Sequence, residues 1–394
     1  MRDEAEARKA AVRRLGRGLP PHRVLDATRP KAWADLDEDV RRAVVHGELR
    51  PSHGWLTGAR GPGWRGMWDL AADRVRKTPS EARLALALCD PDGRIREAAL
   101  AYAAGRPELL PLVAVRAADW AEPVRARALA LLREALPGAS YGTLSVTAPV
   151  ILRLAVRLRG GAAAELLDGL LRDGPAGTAT ALLLGCRDAA ARRAALTAVL
   201  DRGLYDGLGL ALVAAGDHDP VVQERAASAA VAAGEPDATL PVLLGARFGR
   251  VRAAGVTALR GAGRHAEAEP YLYDRSGRTR ACARWVLRQG GGDPAAAYRA
   301  ACTGADVPDR APLGLGECGT RSLDAPLLRE LTAHRNGRVR ASAVAGLRLL
   351  GAVDPARTKA LLDDPEPAVA REARRALRAS CPEGAGAASS TSAN

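Results

Sequence analysis

Apolar side chains along this chain recur in a fixed order rather than in strict alternation. A branched aliphatic residue precedes an arginine, a small residue follows three positions after that arginine, and Leu or Val comes next. The phrase reads Ile95-Arg96…Ala99-Leu100, Val124-Arg125…Ala128-Leu129, Val251-Arg252…Gly255-Val256 and Val339-Arg340…Ala343-Val344. Spacings of three, four and seven place apolar residues on one face of a helix. Leu132, Val199, Leu259, Leu287, Leu347 and Leu377 supply the seventh position. One register passes through positions 96, 125, 192, 223, 252, 280, 310, 340 and 370, with steps of 28 to 31 residues broken by one of 67. The wide step predicts a further unit with an eroded signature around Thr143–Asp173. Three positions past the register stand Ala99, Ala128, Ala195, Ala226, Gly255, Ala283, Ala343 and Ala373, side chains small enough for successive helices to approach closely. Self-similarity at this period predicts a solenoid of stacked helix pairs, each burying its apolar face only against its neighbours.

Asp-Pro introduces the phrase in Asp90-Pro91…Ile95-Arg96 and Asp364-Pro365…Val369, and Asp119-Trp120-Ala121-Glu122-Pro123-Val124-Arg125 has the same outline. These segments resemble the HEAT-repeat family in its short bacterial form, whose second helix opens D-P-x-x-x-V-R-x-x-A, and in particular its uncharacterised actinobacterial type. The resemblance covers roughly residues 80–380 and implies an all-α solenoid of about ten HEAT-like helix pairs. It also implies a ladder between repeats, in which an Asp caps a helix start and the Arg six residues later bridges to the next unit. Asp90–Arg96, Asp119–Arg125 and Asp274–Arg280 keep both members. Arg192, Arg252, Arg310 and Arg340 have Cys186, Ala246, Gly304 and His334 at the acidic position. These arginines either take a carboxylate from a neighbouring repeat or face a ligand. The repeat marked by Arg310 contains Pro312, Gly314, Gly316 and Gly319, which predict a short or broken helix.

The ends lie outside the register. Residues 1–79 predict two amphipathic helices, near Glu4–Leu15 and Lys31–His46, and then an irregular segment carrying Trp55, Trp64 and Trp68 among glycines and prolines. Terminal repeats need cover, so this stretch reads as a cap over the first repeat, or as a partner-docking loop with Arg60 and Arg65 beside the rings. Residues 80–380 are the repeat solenoid, and 381–394 read as a disordered tail.

Composition narrows the chemistry. Aromatic residues make up 3% of the chain, with Phe248 the only phenylalanine, so the core is a thin one of Ala, Leu and Val that suits helices better than strands. The net charge of +13 favours polyanions or acidic partners. Part of that signal is muted, because only four of the 58 basic residues are lysines, and an Arg-for-Lys bias on that scale often tracks nucleotide composition rather than phosphate binding. The excess concentrates between residues 246 and 291, where ten arginines stand against Glu267, Glu269 and Asp274. Six cysteines without a CxxC pair read as small apolar residues rather than as a disulfide or metal framework. No apolar signal region and no run of 18 apolar residues is present, so a cytoplasmic protein without membrane contact is expected.

No catalytic, metal or cofactor residues are expected. None of the histidines at 22, 46, 53, 218, 265 and 334 is followed by Glu or paired with another at i, i+4, and neither a P-loop nor a G-x-S-x-G motif occurs. Among enzymes built from HEAT-like repeats, alkylpurine DNA glycosylases hold DNA in a basic groove and use Trp side chains with an Asp. The resemblance would place those roles on Asp119, Trp120 and Trp285, although Asp119 also occupies the ladder position and Trp120 reads as a wedge between repeats. The first expectation is therefore a non-catalytic scaffold that binds a protein partner on its concave face or through the Trp-rich cap. The alternative is a nucleic-acid binder, with glycosylase activity as its minor form, using Arg250, Arg252, Arg278, Arg280, Arg338 and Arg340 as phosphate contacts.

Overall fold

The computed structural model describes residues 2–49 and 79–380. Among the described residues every regular element is helical, as the 3.6-residue pattern requires. The chain divides into two compact units, Met1–Tyr205 and Asp206–Asn394, and each is a stack of helix pairs.

The first unit opens with α1 (Arg2–Gly16), a short α2 (Pro21–Val24) and α3 (Pro30–Val45). Arg8 of α1 forks onto the Asp39 carboxylate of α3 at 2.7 and 2.8 Å. Trp33 is buried, with its indole N–H donating to the Ala27 carbonyl at 3.0 Å, and α3 packs against the helices of the repeats that follow. Four pairs succeed it: α4 (Glu81–Leu88) with α5 (Gly93–Ala103), α6 (Leu110–Arg116) with α7 (Glu122–Ala135), α8 (Tyr141–Ala155) with α9 (Gly161–Asp173), and α10 (Ala176–Gly185) with α11 (Ala189–Asp201). The pair α8 and α9 is the unit whose signature has eroded. Its helices are intact.

The second unit holds six pairs. They are α12 (Gly207–Gly216) with α13 (Pro220–Ala232), α14 (Pro236–Gly245) with α15 (Gly249–Gly261), a 3₁₀ segment (His265–Tyr273) with α16 (Gly277–Gln289), α17 (Pro294–Thr303) with α18 (Ala311–Cys318), α19 (Arg321–Leu331) with α20 (Gly337–Leu349), and α21 (Pro355–Ala360) with α22 (Pro367–Ser380). Together the two units contain the all-α solenoid repeats that the period predicts.

Local chemistry starts and stops these helices. Asp92, Asp188, Asp219, Ser276 and Asn336 each accept a first-turn amide of the second helix in their pair, satisfying donors that a helix start leaves open. At the other end, α15 and α16 each stop two residues before a glycine in the left-handed region, Gly263 at φ 72° and Gly291 at φ 83°, a backbone state a β-carbon disfavours. Between the ends, every alanine three positions past the register is fully buried, from Ala99 to Ala373. At Gly255 the fit is tighter still, because a β-carbon there would lie 2.9 Å from the Leu243 Cβ.

The repeat marked by Arg310 has a second helix of eight residues, short as expected. Its glycines serve packing rather than interruption. A methyl group on Gly316 would overlap the Gly346 backbone of α20, and one on Gly314 would overlap the Tyr298 ring. Tyr298 is fully buried and donates its hydroxyl to the Leu272 carbonyl at 2.6 Å. Backbone therefore meets backbone between α18 and α20.

Candidate functional site: a buried arginine ladder and an exposed arginine cluster

Six of the register arginines share one bond, and Arg310, which stands at the cap position before its helix, is the exception. Arg96, Arg125, Arg192, Arg252, Arg280 and Arg340 each donate Nη1 to the backbone carbonyl six residues earlier, on Asp90, Asp119, Cys186, Ala246, Asp274 and His334, at 2.8 to 2.9 Å. Gln223 reproduces it with its amide nitrogen on the Asp217 carbonyl at 2.7 Å. A carbonyl is present whatever side chain it belongs to. This is why Cys186, Ala246 and His334 occupy the supposedly acidic position without loss of the bond.

The carboxylate comes from the following repeat. Arg96 forks onto Asp119 at 2.9 and 2.8 Å, Arg252 onto Asp274 at 2.7 and 2.7 Å, and Arg340 onto Asp364 at 2.9 and 2.6 Å. Each of these carboxylates also accepts a backbone amide of its own loop, from Ala121, Ser276 and Glu366 respectively. One aspartate thus fixes its own turn and receives the arginine of the repeat before it. The arginine thus bridges to the next unit as the ladder implies, while an Asp and the Arg six residues on meet through the aspartate's backbone carbonyl, and the Asp119 and Asp274 carboxylates receive the arginine of the preceding repeat. In the Arg310 repeat, Glu317 takes over, binding Arg280 and Arg284 together.

Proton affinities follow from this wiring. Burial alone would raise the Asp119 and Asp274 carboxyls, but hydrogen bonds from Arg96 and Arg252, the loop amides and the nearby guanidinium charges hold both below the ordinary value. The Arg340 fork does the same for Asp364. At the start of the first unit, α3 joins the ladder. Buried Arg116 bridges Asp37 at 2.6 Å and Asp119 at 2.8 Å, and Arg41 approaches both carboxylates. Sequence reading missed Asp37, Arg41, Arg116 and Glu317. Two signals were available: Arg116 is the single charge in an apolar run, and Glu317 is the single charge in a glycine-rich helix.

The six arginines expected to contact phosphate separate into two groups. Arg252, Arg280 and Arg340 are ladder members whose guanidinium groups are tied inside the protein. Only Arg250, Arg278 and Arg338, each two residues before the register, present theirs to solvent. Residues two apart on a helix point about 200° apart, so one arginine of each couple is enclosed and the other is outside. Arg338 lies 3.4 Å from Asp309. Arg250 and Arg278 instead line one open concavity of about 470 Å³ with Arg247, Phe248, Gly249, Arg275 and Ser276, and with Arg252 at its wall. Here α15 and α16 begin side by side. The Thr279 hydroxyl donates to the Gly249 carbonyl at 2.9 Å, and Gly249 is where a β-carbon would press on Ser276.

The remaining predicted residues fall elsewhere. Asp119 is completely enclosed by its guanidinium partners, so it offers no free carboxylate to a ligand. Trp120 is 64% exposed, with the Arg96 guanidinium 5.8 Å from its ring centroid; it is therefore not the expected wedge, because the space between repeats is already filled by the ladder. Trp285 is partly exposed beside Arg260. Trp55, Trp64, Trp68 and the tail 381–394 lie outside the described residues. Cys89, Cys186 and Cys302 are buried, and burial pushes the Cys302 thiol up to about 12. Among the described residues no group of three His, Cys, Asp or Glu side chains is placed to hold a metal ion, and no helix is long and apolar enough to cross a membrane.

Helix pairs joined by an arginine ladder define the class of this protein as an all-α solenoid of stacked repeats. No family model and no curated protein matches the sequence. Solved structures to which it is similar include an engineered protein, at 16% identity and a TM-score of 0.25, covering 89% of this chain and 96% of that one. Kap121p matches at 13% identity with a TM-score of 0.28, over 89% of this chain and 46% of that one. Kap121p bound to Pho4p matches at 13% identity with a TM-score of 0.30, over 90% and 46%. The chain spans about half the length of Kap121p.

Proposed function

We propose that this protein is a non-catalytic repeat scaffold that binds an acidic segment of a protein partner at the edge where its second helices begin. The observation that carries this reading is the division of the arginines. Half of the expected contact residues are consumed in holding repeats together, and two of the three that remain exposed, Arg250 and Arg278, gather around one concavity two repeats wide, while Arg338 stands apart beside Asp309. Five and two residues before the register, the repeat before it has His218 and Val221 and the repeat after it has Ala305 and Pro308, with Asp306 and Asp309 next to them. A nucleic-acid strand presents an unbroken series of phosphates and is matched by a run of free cations. A short acidic peptide needs no more than two repeats.

Anisotropy titrations with labelled duplex and single-stranded oligonucleotides at physiological salt test the choice, together with affinity capture from nuclease-treated extract. The scaffold reading expects only weak, sequence-independent oligonucleotide binding, roughly 10⁻⁴ to 10⁻⁶ M, and a protein partner that survives nuclease. Tighter oligonucleotide binding, whose log–log salt slope falls by about two units in Arg250→Gln/Arg278→Gln, would overturn it in favour of nucleic acid.

A further inference from the structure

We infer that the concavity between the starts of α15 and α16 recognises a phosphorylated serine or threonine on a protein partner. The inference rests on the scaffold reading above and supplies the chemistry of what the scaffold holds. Arginine stands both five and two residues before the register in the repeats marked by 252 and 280, as Arg247 with Arg250 and Arg275 with Arg278. Only there do two consecutive repeats of the register have arginine at both positions. The stacking of α15 on α16 brings all four onto one opening of about 470 Å³.

Their charge is poorly compensated. In the repeat marked by 340 the same two positions, Arg335 and Arg338, are met by Asp306 at 3.6 Å and Asp309 at 3.4 Å. Around the concavity one carboxylate serves two arginines: Glu224 stands 3.9 Å from Arg250 and 3.7 Å from Arg278. Among the described residues Arg247 and Arg275 have no carboxylate within ion-pair distance. Arg252 adds no free charge, because Asp274 holds it.

Two further features select the ligand. The 13-residue helix α15 has Phe248 at its cap position and no side-chain acceptor for its first amides, while Gly249 lines the opening. Uncapped amides and the positive end of the helix add to the guanidinium groups in favouring an oxyanion. A phosphate monoester carries close to two charges and three acceptor oxygens, and guanidinium forks engage it in a way one carboxylate cannot repeat. Phe248 then provides an apolar wall. Its ring is held edge-on by His218 at 5.5 Å and has the Arg247 guanidinium 5.4 Å from its centroid. A free anion has no use for such a wall, whereas the carbon atoms of a phosphorylated side chain and its neighbour do.

The test uses the full chain and a labelled peptide, Gly-Ala-phosphoserine-Leu-Gly, with its unphosphorylated form, its glutamate form, inorganic phosphate and a thymidine oligonucleotide as comparisons. Saturable binding of the phosphopeptide is expected, with the glutamate form about tenfold weaker. Arg250→Gln/Arg278→Gln should weaken it about a hundredfold without moving the melting temperature, since both side chains are outside. Glu224→Gln should tighten it roughly fivefold by removing the competing charge, a gain that damage to folding cannot mimic. Equal affinity for the unphosphorylated peptide, or indifference to these substitutions, overturns the inference. So does inorganic phosphate that binds as tightly as the peptide, which would mark an adventitious ion only, or an oligonucleotide that binds more tightly with the same arginine dependence. A captured protein partner retained equally by Arg250→Gln/Arg278→Gln would remove this site and the placement of the acidic segment on it, while leaving a protein-binding scaffold that uses another surface.

Discussion

Replacing Asp274 by Asn keeps the size of the side chain and an oxygen for the Ser276 amide, and removes the charge that faces Arg252. Both partners are about nine-tenths enclosed. Breaking a buried ion pair by removing one partner costs about 3–5 kcal/mol, because the other charge stays behind without compensation. Arg252 is only partly abandoned, since it continues to donate to the Ala246 and Arg247 carbonyls at 2.8 Å. That residual solvation places the expected loss at the lower end, about 2–3 kcal/mol. For a cooperative unit of 150–250 residues this lowers the melting temperature by roughly 4–12 °C. Calorimetry of the full chain measures the shift, and a double-mutant cycle with Arg252→Gln isolates the pair, with about 1.5 kcal/mol or more of coupling expected. Arg250→Gln, two residues away but outside, should stay within about 0.5 kcal/mol of the parent. If Asp274→Asn were as silent as Arg250→Gln, the ladder would not be what joins these repeats.

The same carboxylates set the acid response. Asp119, Asp274 and Asp364 are held below their ordinary value of 3.8 in the folded chain, so they contribute stability that is complete above that value and lost as pH falls through the lower folded values. Urea midpoints should therefore decline as pH drops below about 4, and the gap between the parent and Asp274→Asn should close over the same range; a constant gap would contradict the assignment. The glycines give opposite expectations by place. Gly316→Ala, which forces a methyl into the Gly346 backbone, should cost about 1–3 kcal/mol or more. Gly169→Ala, in a helix with open space around it, should gain about 0.5–1 kcal/mol, both read as shifts in urea midpoint.

Much of the architecture was legible because helix amphipathicity is a local property. The apolar stripe and the buried alanines recur at helical spacing, and Asp, Asn and Ser before a helix act on amides within three residues, so the helix pairs and their number can be read from neighbouring positions alone. The separation of Arg250 from Arg252 was also available in principle, since two helix positions turn the side chains to opposite sides. What only the tertiary structure decided is which partner each enclosed arginine meets. Asp274 for Arg252 lies 22 residues away, and Glu317 for Arg280 lies 37 residues away across a repeat where the regular aspartate is replaced. It likewise decided that Gly314 and Gly316 are sites of close approach rather than breaks, and that four arginines from two repeats share one opening. Such contacts depend on how one hairpin is seated on the next, a distance set by packing of whole faces and not by the order of residues within either one.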